Sequence, residues 1–84
     1  MDRIYLAITA KGLQQALMTA AETGGTVWCG ADAMTEQEFS AHVGSAVTRF
    51  AYPLAAESDD VLTGAIETIF EHHPAAIIWV ESIA

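Results

Sequence analysis

The segment from Ser58 to Pro74, SDDVLTGAIETIFEHHP, restricts the fold more than any other part of the chain. Its apolar residues recur at the spacing of one helix face, which predicts an amphipathic helix. Ser58 and the two aspartates after it are typical of a helix start, where they satisfy free amides and the helix dipole. Pro74 prevents the helix from continuing. The residues expected to face inward are Val61, Leu62, Ala65, Ile66, Ile69, Phe70 and His73.

Six further segments alternate between strand and helix patterns. IYLAIT, from Ile4, alternates with a period of two and predicts a strand, with Ile4, Leu6 and Ile8 inward and Tyr5 outward. A helix follows over KGLQQALMTAAET and ends at Gly24 and Gly25. TVWCG, SAVTRFAYPL and AAIIWVESI predict strands, and TEQEFSAHV predicts a short helix that starts with a capping box.

The order strand, helix, strand, short helix, strand, helix, strand predicts one domain over residues 1–84. Two β-α-β halves of similar length favour an α+β fold, a ferredoxin-like two-layer sandwich. In that fold a four-stranded antiparallel sheet carries both long helices on one face. The alternative is a small parallel α/β sheet of flavodoxin type, which needs cover on both faces and here lacks a third long helix. In the sandwich the second sheet face is open, unless the short helix covers it, and could pair two copies as a homodimer.

The charge balance is strongly acidic, with 11 acidic and 3 basic residues and a net charge of −8. Binding of a phosphate backbone needs several lysines or arginines, so direct nucleic-acid binding and docking on an anionic membrane are not expected. A basic partner is favoured instead. The single cysteine excludes an intrachain disulfide, and no signal peptide is recognisable, so we expect a cytoplasmic protein.

No pattern in the chain is typical of a catalytic or metal centre. Cys29 with His42, His72 or His73 as a base is one option, but a lone cysteine in a strand is more often a buried apolar residue. Glu71, His72 and His73 are adjacent along a helix and diverge by about 100° each, so they do not converge on a metal. We therefore expect no catalytic residues, no metal and no cofactor.

Carboxylates on the polar side of the last helix are the strongest functional signal. Asp60, Gly64, Glu67 and Glu71 follow one line, and no lysine or arginine lies between Phe50 and Ala84. Glu67 and Glu71 are one turn apart, a spacing similar to that of successive phosphates in a nucleic acid. An acidic outer face often serves only solubility. As a partner-binding surface it predicts the contact residues Asp59, Asp60, Glu67, Glu71, Glu36 and Glu38.

These features predict a small acidic, non-enzymatic inhibitor or modulator that occupies a basic surface of another protein, which could be a nucleic-acid-binding surface. In size and composition the chain resembles small phage-encoded inhibitors of host defence, including anti-CRISPR proteins, although no motif carries the resemblance. The alternative is a ferredoxin-like ligand-binding or catalytic domain, dimeric and using the sheet face with Cys29 or a histidine.

Overall fold

The computed structural model describes residues 3–41, 47–54 and 59–81, and the predicted order of strands and helices is correct. The predicted cap at Ser58 and the candidate base His42 lie outside the described residues. The elements are β1 (Arg3–Ala7), α1 (Ala10–Thr23), β2 (Thr26–Cys29), α2 (Glu36–Ala41), β3 (Val47–Arg49), α3 (Asp59–His72) and β4 (Ile77–Val80). No helix within these ranges is long and apolar enough to cross a membrane.

The four strands form one all-parallel sheet in the order β3-β2-β1-β4. The predicted antiparallel ferredoxin-like sandwich is therefore wrong, and the alternative, a small parallel α/β sheet, fits. The chain steps from β1 to β2 to β3 in one direction and then returns to the far side of β1 as β4. The direction reverses between β1 and β4, which makes this pair the topological switch point of the sheet.

One face of the sheet packs under α3. Ile4 and Leu6 of β1 and Trp28 of β2 form a buried cluster with Ala65 and Ile69 of α3. Most of the predicted apolar face of α3 packs in this cluster. Phe70 is an exception, because its side chain is 42% exposed, so its predicted inward position is wrong.

The opposite face packs under α1 and α2, so it is not the open face that the sandwich would leave. Tyr5 of β1, Val27 of β2 and Leu13 of α1 belong to the second cluster. The expectation that a parallel sheet would need a third long helix was wrong for a physical reason. The six-residue α2, together with the buried Ala33 and Met34 before it, covers the β2 and β3 side.

Two helix ends have the capping interactions that the sequence predicts. Gly24 ends α1 in the left-handed conformation, with φ of 79°, which glycine adopts without steric cost. At the start of α2 the Thr35 backbone N donates to Glu38 Oε1 at 3.1 Å, and the Glu38 backbone N donates to Thr35 Oγ1 at 3.0 Å. The capping box is confirmed.

The edge strand β4 lacks cover on the side of α1. Trp79 pairs with Tyr5 in the sheet register and Ile77 pairs with Arg3, so both point to that side. Trp79 is 48% exposed and Ile77 is also exposed, because α1 packs on β1 and β2. A groove is left between α1 and β4.

Candidate functional site

Three of the carboxylates predicted on α3 face solvent. Asp60, Glu67 and Glu71 are exposed, and Asp59 is the first residue of the helix. At 100° per residue, Glu67 and Glu71 lie opposite the buried Ala65 and Ile69. The acidic line read from the sequence is therefore the outer face of α3, the surface farthest from the sheet.

The two acids predicted on α2 do not join that face. Glu36 and Glu38 lie on the helix that covers the opposite side of the sheet, with Phe39 packed in the α1 and α2 cluster. Glu38 is also engaged at its own helix start through the capping box. The six predicted contact residues therefore lie on helices at two sides of the sheet and do not form one surface.

All three basic residues lie on the side opposite α3. Arg3 and Arg49 share the strand face of Tyr5 and Val47, which pack under α1 and α2, and Lys11 is in the first turn of α1. Arg49 is held in place, since its Nε donates to Met34 O at 2.7 Å and its Nη2 to Ala31 O at 3.1 Å. The outer face of α3 thus carries acids and neither lysine nor arginine, and His72 lies in its last turn.

Phe70 adds an exposed aromatic ring to the acidic face of α3. It is three residues from Glu67, so these two side chains are neighbours on the helix surface, and the Phe70 ring lies at the edge of the acidic face. Exposed rings beside charged groups are typical of protein-binding surfaces, where aromatic residues are enriched. The sequence pattern placed Phe70 inside because it continues the apolar repeat by one position beyond Ile69.

Cys29 is not placed to act as a nucleophile. Its side chain is fully buried in the α1 and α2 cluster. Burial raises the pKa of the Cys29 thiol from 9.0 to about 11, although the nearby Arg49 guanidinium acts in the opposite direction. The thiol is therefore protonated at neutral pH, and reactive cysteines need an available thiolate.

The two histidines at the end of α3 contact an aromatic ring. The ring centroids of His72 and His73 lie 5.7 and 6.3 Å from that of Trp28. Among the described residues, no group of three or more His, Cys, Asp or Glu side chains is arranged to hold a metal ion. In this structure the two residues finish the helix and border the core.

Glu81 occupies the point between the carboxyl ends of β1 and β4, and the sequence interpretation missed it. Its Oε1 accepts hydrogen bonds from the Ile8 and Thr9 backbone N atoms at 2.6 and 2.8 Å. Its Oε2 accepts one from Thr9 Oγ1 at 2.6 Å, while Thr9 Oγ1 also accepts from the Gly12 backbone N at 3.1 Å. A carboxylate from the last strand thus fills the amino end of α1, which in this fold commonly receives an anionic ligand.

The environment of Glu81 favours its charged form. Burial by itself would raise the pKa of the carboxyl, but the hydrogen bonds from Thr9 and Ile8 together lower it below its ordinary value of 4.5. The first turn of α1 has no acidic residue of its own. Glu81 supplies the negative charge that the helix dipole favours there. A threonine three residues before a glycine, with a glutamate just after the last strand, was the available sequence signal.

The groove between α1 and β4 begins at Glu81 and has a volume of about 500 Å³. Tyr5 and Trp79 form its aromatic side, with ring centroids 5.3 Å apart and ring planes at 16°. Lys11, Gln15 and Thr19 of α1 form its polar side.

Comparison with known proteins found no matching family model, curated protein or solved structure.

Proposed function

We propose that this protein is a non-enzymatic, cytoplasmic inhibitor or modulator that binds a basic surface of a partner protein through the outer face of α3. The observation that supports this most is the absence of lysine and arginine from the exposed acidic face of α3. Asp60, Glu67 and Glu71 are exposed on a face without lysine or arginine, while the lysine and both arginines of the chain lie on the other side. Such a one-signed face attracts an oppositely charged partner over long range and disfavours acidic ones.

Phe70 gives this face a short-range contact in addition to charge. An exposed ring beside Glu67 can bury apolar area, while the carboxylates of Glu67 and Glu71 meet lysines or arginines of the partner. A partner surface that normally binds an anionic ligand, such as a nucleic acid, has this chemistry. Occupation of that surface would exclude the ligand sterically and electrostatically.

The proposal is tested by capture of partners from an extract of the native host with three forms of the protein. These are the wild type, the α3 variant Glu67→Lys/Glu71→Lys, and the control variant Glu22→Lys/Glu36→Lys. Each double variant changes net charge by +4, since two glutamates become lysines, so both go from −8 to −4. Glu22 and Glu36 are exposed on α1 and α2.

We expect the wild type and the control variant to capture a basic protein that the α3 variant does not capture. Equal capture by all three forms would contradict the proposal, as would loss with both double variants, which would indicate an effect of net charge alone. Circular dichroism on the variants checks that the fold is intact.

A further inference from the structure

The groove between α1 and β4 has the position of a ligand site. In open parallel α/β sheets, ligands bind outside the carboxyl ends of the strands where the strand order reverses. Here that point lies between β1 and β4, and the groove opens beside it. Its volume of about 500 Å³ is in the range of small-molecule sites, which is roughly 300 to 1,000 Å³. The proposed α3 surface lies on the other side of the sheet and does not use it.

Glu81 excludes the ligand that this position most often receives. A phosphate would need the free amides at the amino end of α1, but the Ile8 and Thr9 amides already donate to the Glu81 carboxylate. The space beside them is also filled, since a Cβ atom at Gly12 would overlap that carboxylate. A nucleotide phosphate at this helix end would therefore find the Ile8 and Thr9 amides already occupied.

The aromatic side of the groove is held in a fixed arrangement. Tyr5 stacks on Trp79, and the Tyr5 hydroxyl is hydrogen-bonded to Thr23 Oγ1 at 2.9 Å. The Trp79 ring, 48% exposed, is thus supported from one side and open to solvent elsewhere. A preformed flat apolar surface favours a planar aromatic ligand, because stacking then costs little ordering.

The opposite side of the groove supplies a positive charge. Lys11, Gln15 and Thr19 follow at intervals of four along α1 and form one line facing the groove. The Thr19 hydroxyl donates to Gln15 O at 3.0 Å, so the Lys11 ammonium and the Gln15 amide are the groups left to donate to a ligand. Lys11 makes no ion pair among the described residues, and the charge of Glu81 is shared among three donors.

We propose that this groove binds a small planar aromatic carboxylate. The rings stack on Trp79, and the carboxylate of the ligand pairs with Lys11 and accepts from Gln15. The groove volume of about 500 Å³ has room for one or two fused rings. The site binds an anion through the single ammonium group of Lys11. Phosphate sites of this fold instead use the backbone amides at the helix amino end.

Three probes that share a naphthalene ring distinguish the contribution of stacking to the binding affinity from that of charge. They are 2-naphthoate, the neutral 2-naphthalenemethanol and the cationic 2-naphthylmethylammonium. Binding is followed by ¹H–¹⁵N NMR shifts of the whole protein, with the Trp79 indole and the Lys11 to Thr19 amides as reporters. We expect 2-naphthoate to bind tightest and to shift these signals, with the cation binding weakest.

Two single-charge variants test the role of Lys11. Lys11→Gln should weaken 2-naphthoate binding about three- to fivefold, the effect of a partly exposed ion pair. The control Arg3→Gln removes the same charge at the other end of β1, outside the groove, and should leave affinity unchanged. Trp79→Leu should weaken the binding of all three probes about tenfold, since each loses the ring on which it stacks.

Equal affinity for the three probes, no binding by any of them, or equal effects of Lys11→Gln and Arg3→Gln would each overturn the proposal. Lys11 and Arg3 are both exposed, so their variants decide the question even if Trp79→Leu does not fold. None of these outcomes depends on capture of a partner by α3. The proposed ligand site and the proposed function are therefore tested independently.

Discussion

The carboxylate of Glu81 closes the amino end of α1 by accepting two hydrogen bonds from Thr9, one from its backbone N at 2.8 Å and one from its hydroxyl at 2.6 Å. The two residues are 72 positions apart in the chain. This contact ties the last strand to the first helix and sets the end of the groove. Its contribution to the free energy of unfolding can be measured directly.

Glu81→Gln is expected to lower the free energy of unfolding by about 1–2 kcal/mol at pH 7. The amide retains one acceptor oxygen but turns an NH₂ group toward donors, and hydrogen bonds to a charged group are worth more than neutral ones. Chemical denaturation measures the change. Glu22→Gln, at an exposed site, is the matched control and should be close to neutral. Equal stabilities of Glu81→Gln and wild type would show that the contact contributes nothing.

The contribution of Glu81 depends on pH in a defined direction. Because the pKa of the folded-state carboxyl is lowered, its stabilising effect is fully present above the ordinary value of 4.5 and is lost as pH falls through the folded-state pKa. The difference in unfolding free energy between wild type and Glu81→Gln should therefore shrink below about pH 4.5. A difference that stays constant from pH 7 to pH 3 would contradict this assignment.

Gly12→Ala and Gly64→Ala should have opposite effects on stability. Both glycines are inside helices, where alanine is normally favoured by up to about 1 kcal/mol. At Gly64 a Cβ atom meets nothing within 4 Å, so the substitution should stabilise. At Gly12 the Cβ atom would displace the Glu81 carboxylate, so the substitution should destabilise.

A double-mutant cycle with Glu81→Gln tests this cause. Gly12→Ala should cost less in the Glu81→Gln background than in the wild type, since the displaced contact is already impaired. Additive effects would show that the destabilisation caused by Gly12→Ala does not arise from the Glu81 contact.

Cys29 should resist labelling in the native protein. Its thiol is buried and its pKa is raised to about 11, so reaction with a thiol reagent at pH 8 requires opening of the structure. We expect native labelling at least about a hundredfold slower than labelling in denaturant. Because the chain has one cysteine, the reading is unambiguous. Comparable rates in both states would refute the buried, protonated assignment.

Local features of this fold follow from the sequence, whereas the pairing of strands does not. Period-two and helical patterns identify the seven elements, and Gly24 and the Thr35 to Glu38 box identify helix ends, because these signals arise within a few residues. Strand direction depends on which faces the helices cover. The six-residue α2 provides enough cover with Ala33 and Met34, and its pattern does not reveal this.

The candidate sites also differ in how far the sequence predicts them. The exposed acids of α3 could be predicted, since helical spacing places them opposite the apolar face. Glu81, Trp79 and Lys11 could not, because β4, β1 and α1 meet only through the strand order. The separation of Glu36 and Glu38 from the α3 acids follows from the same strand order.

The most direct test of the proposed function is the salt dependence of affinity for the captured partner. Wild type, Glu67→Lys/Glu71→Lys and Glu22→Lys/Glu36→Lys are titrated from low to high ionic strength, since exposed charges are screened over about 10 Å at 0.1 M salt. We predict a steep loss of wild-type affinity with salt, an affinity at least about tenfold lower and nearly independent of salt for the α3 variant, and near wild-type behaviour for the control. Identical titration curves for wild type and the α3 variant would contradict binding through the outer face of α3.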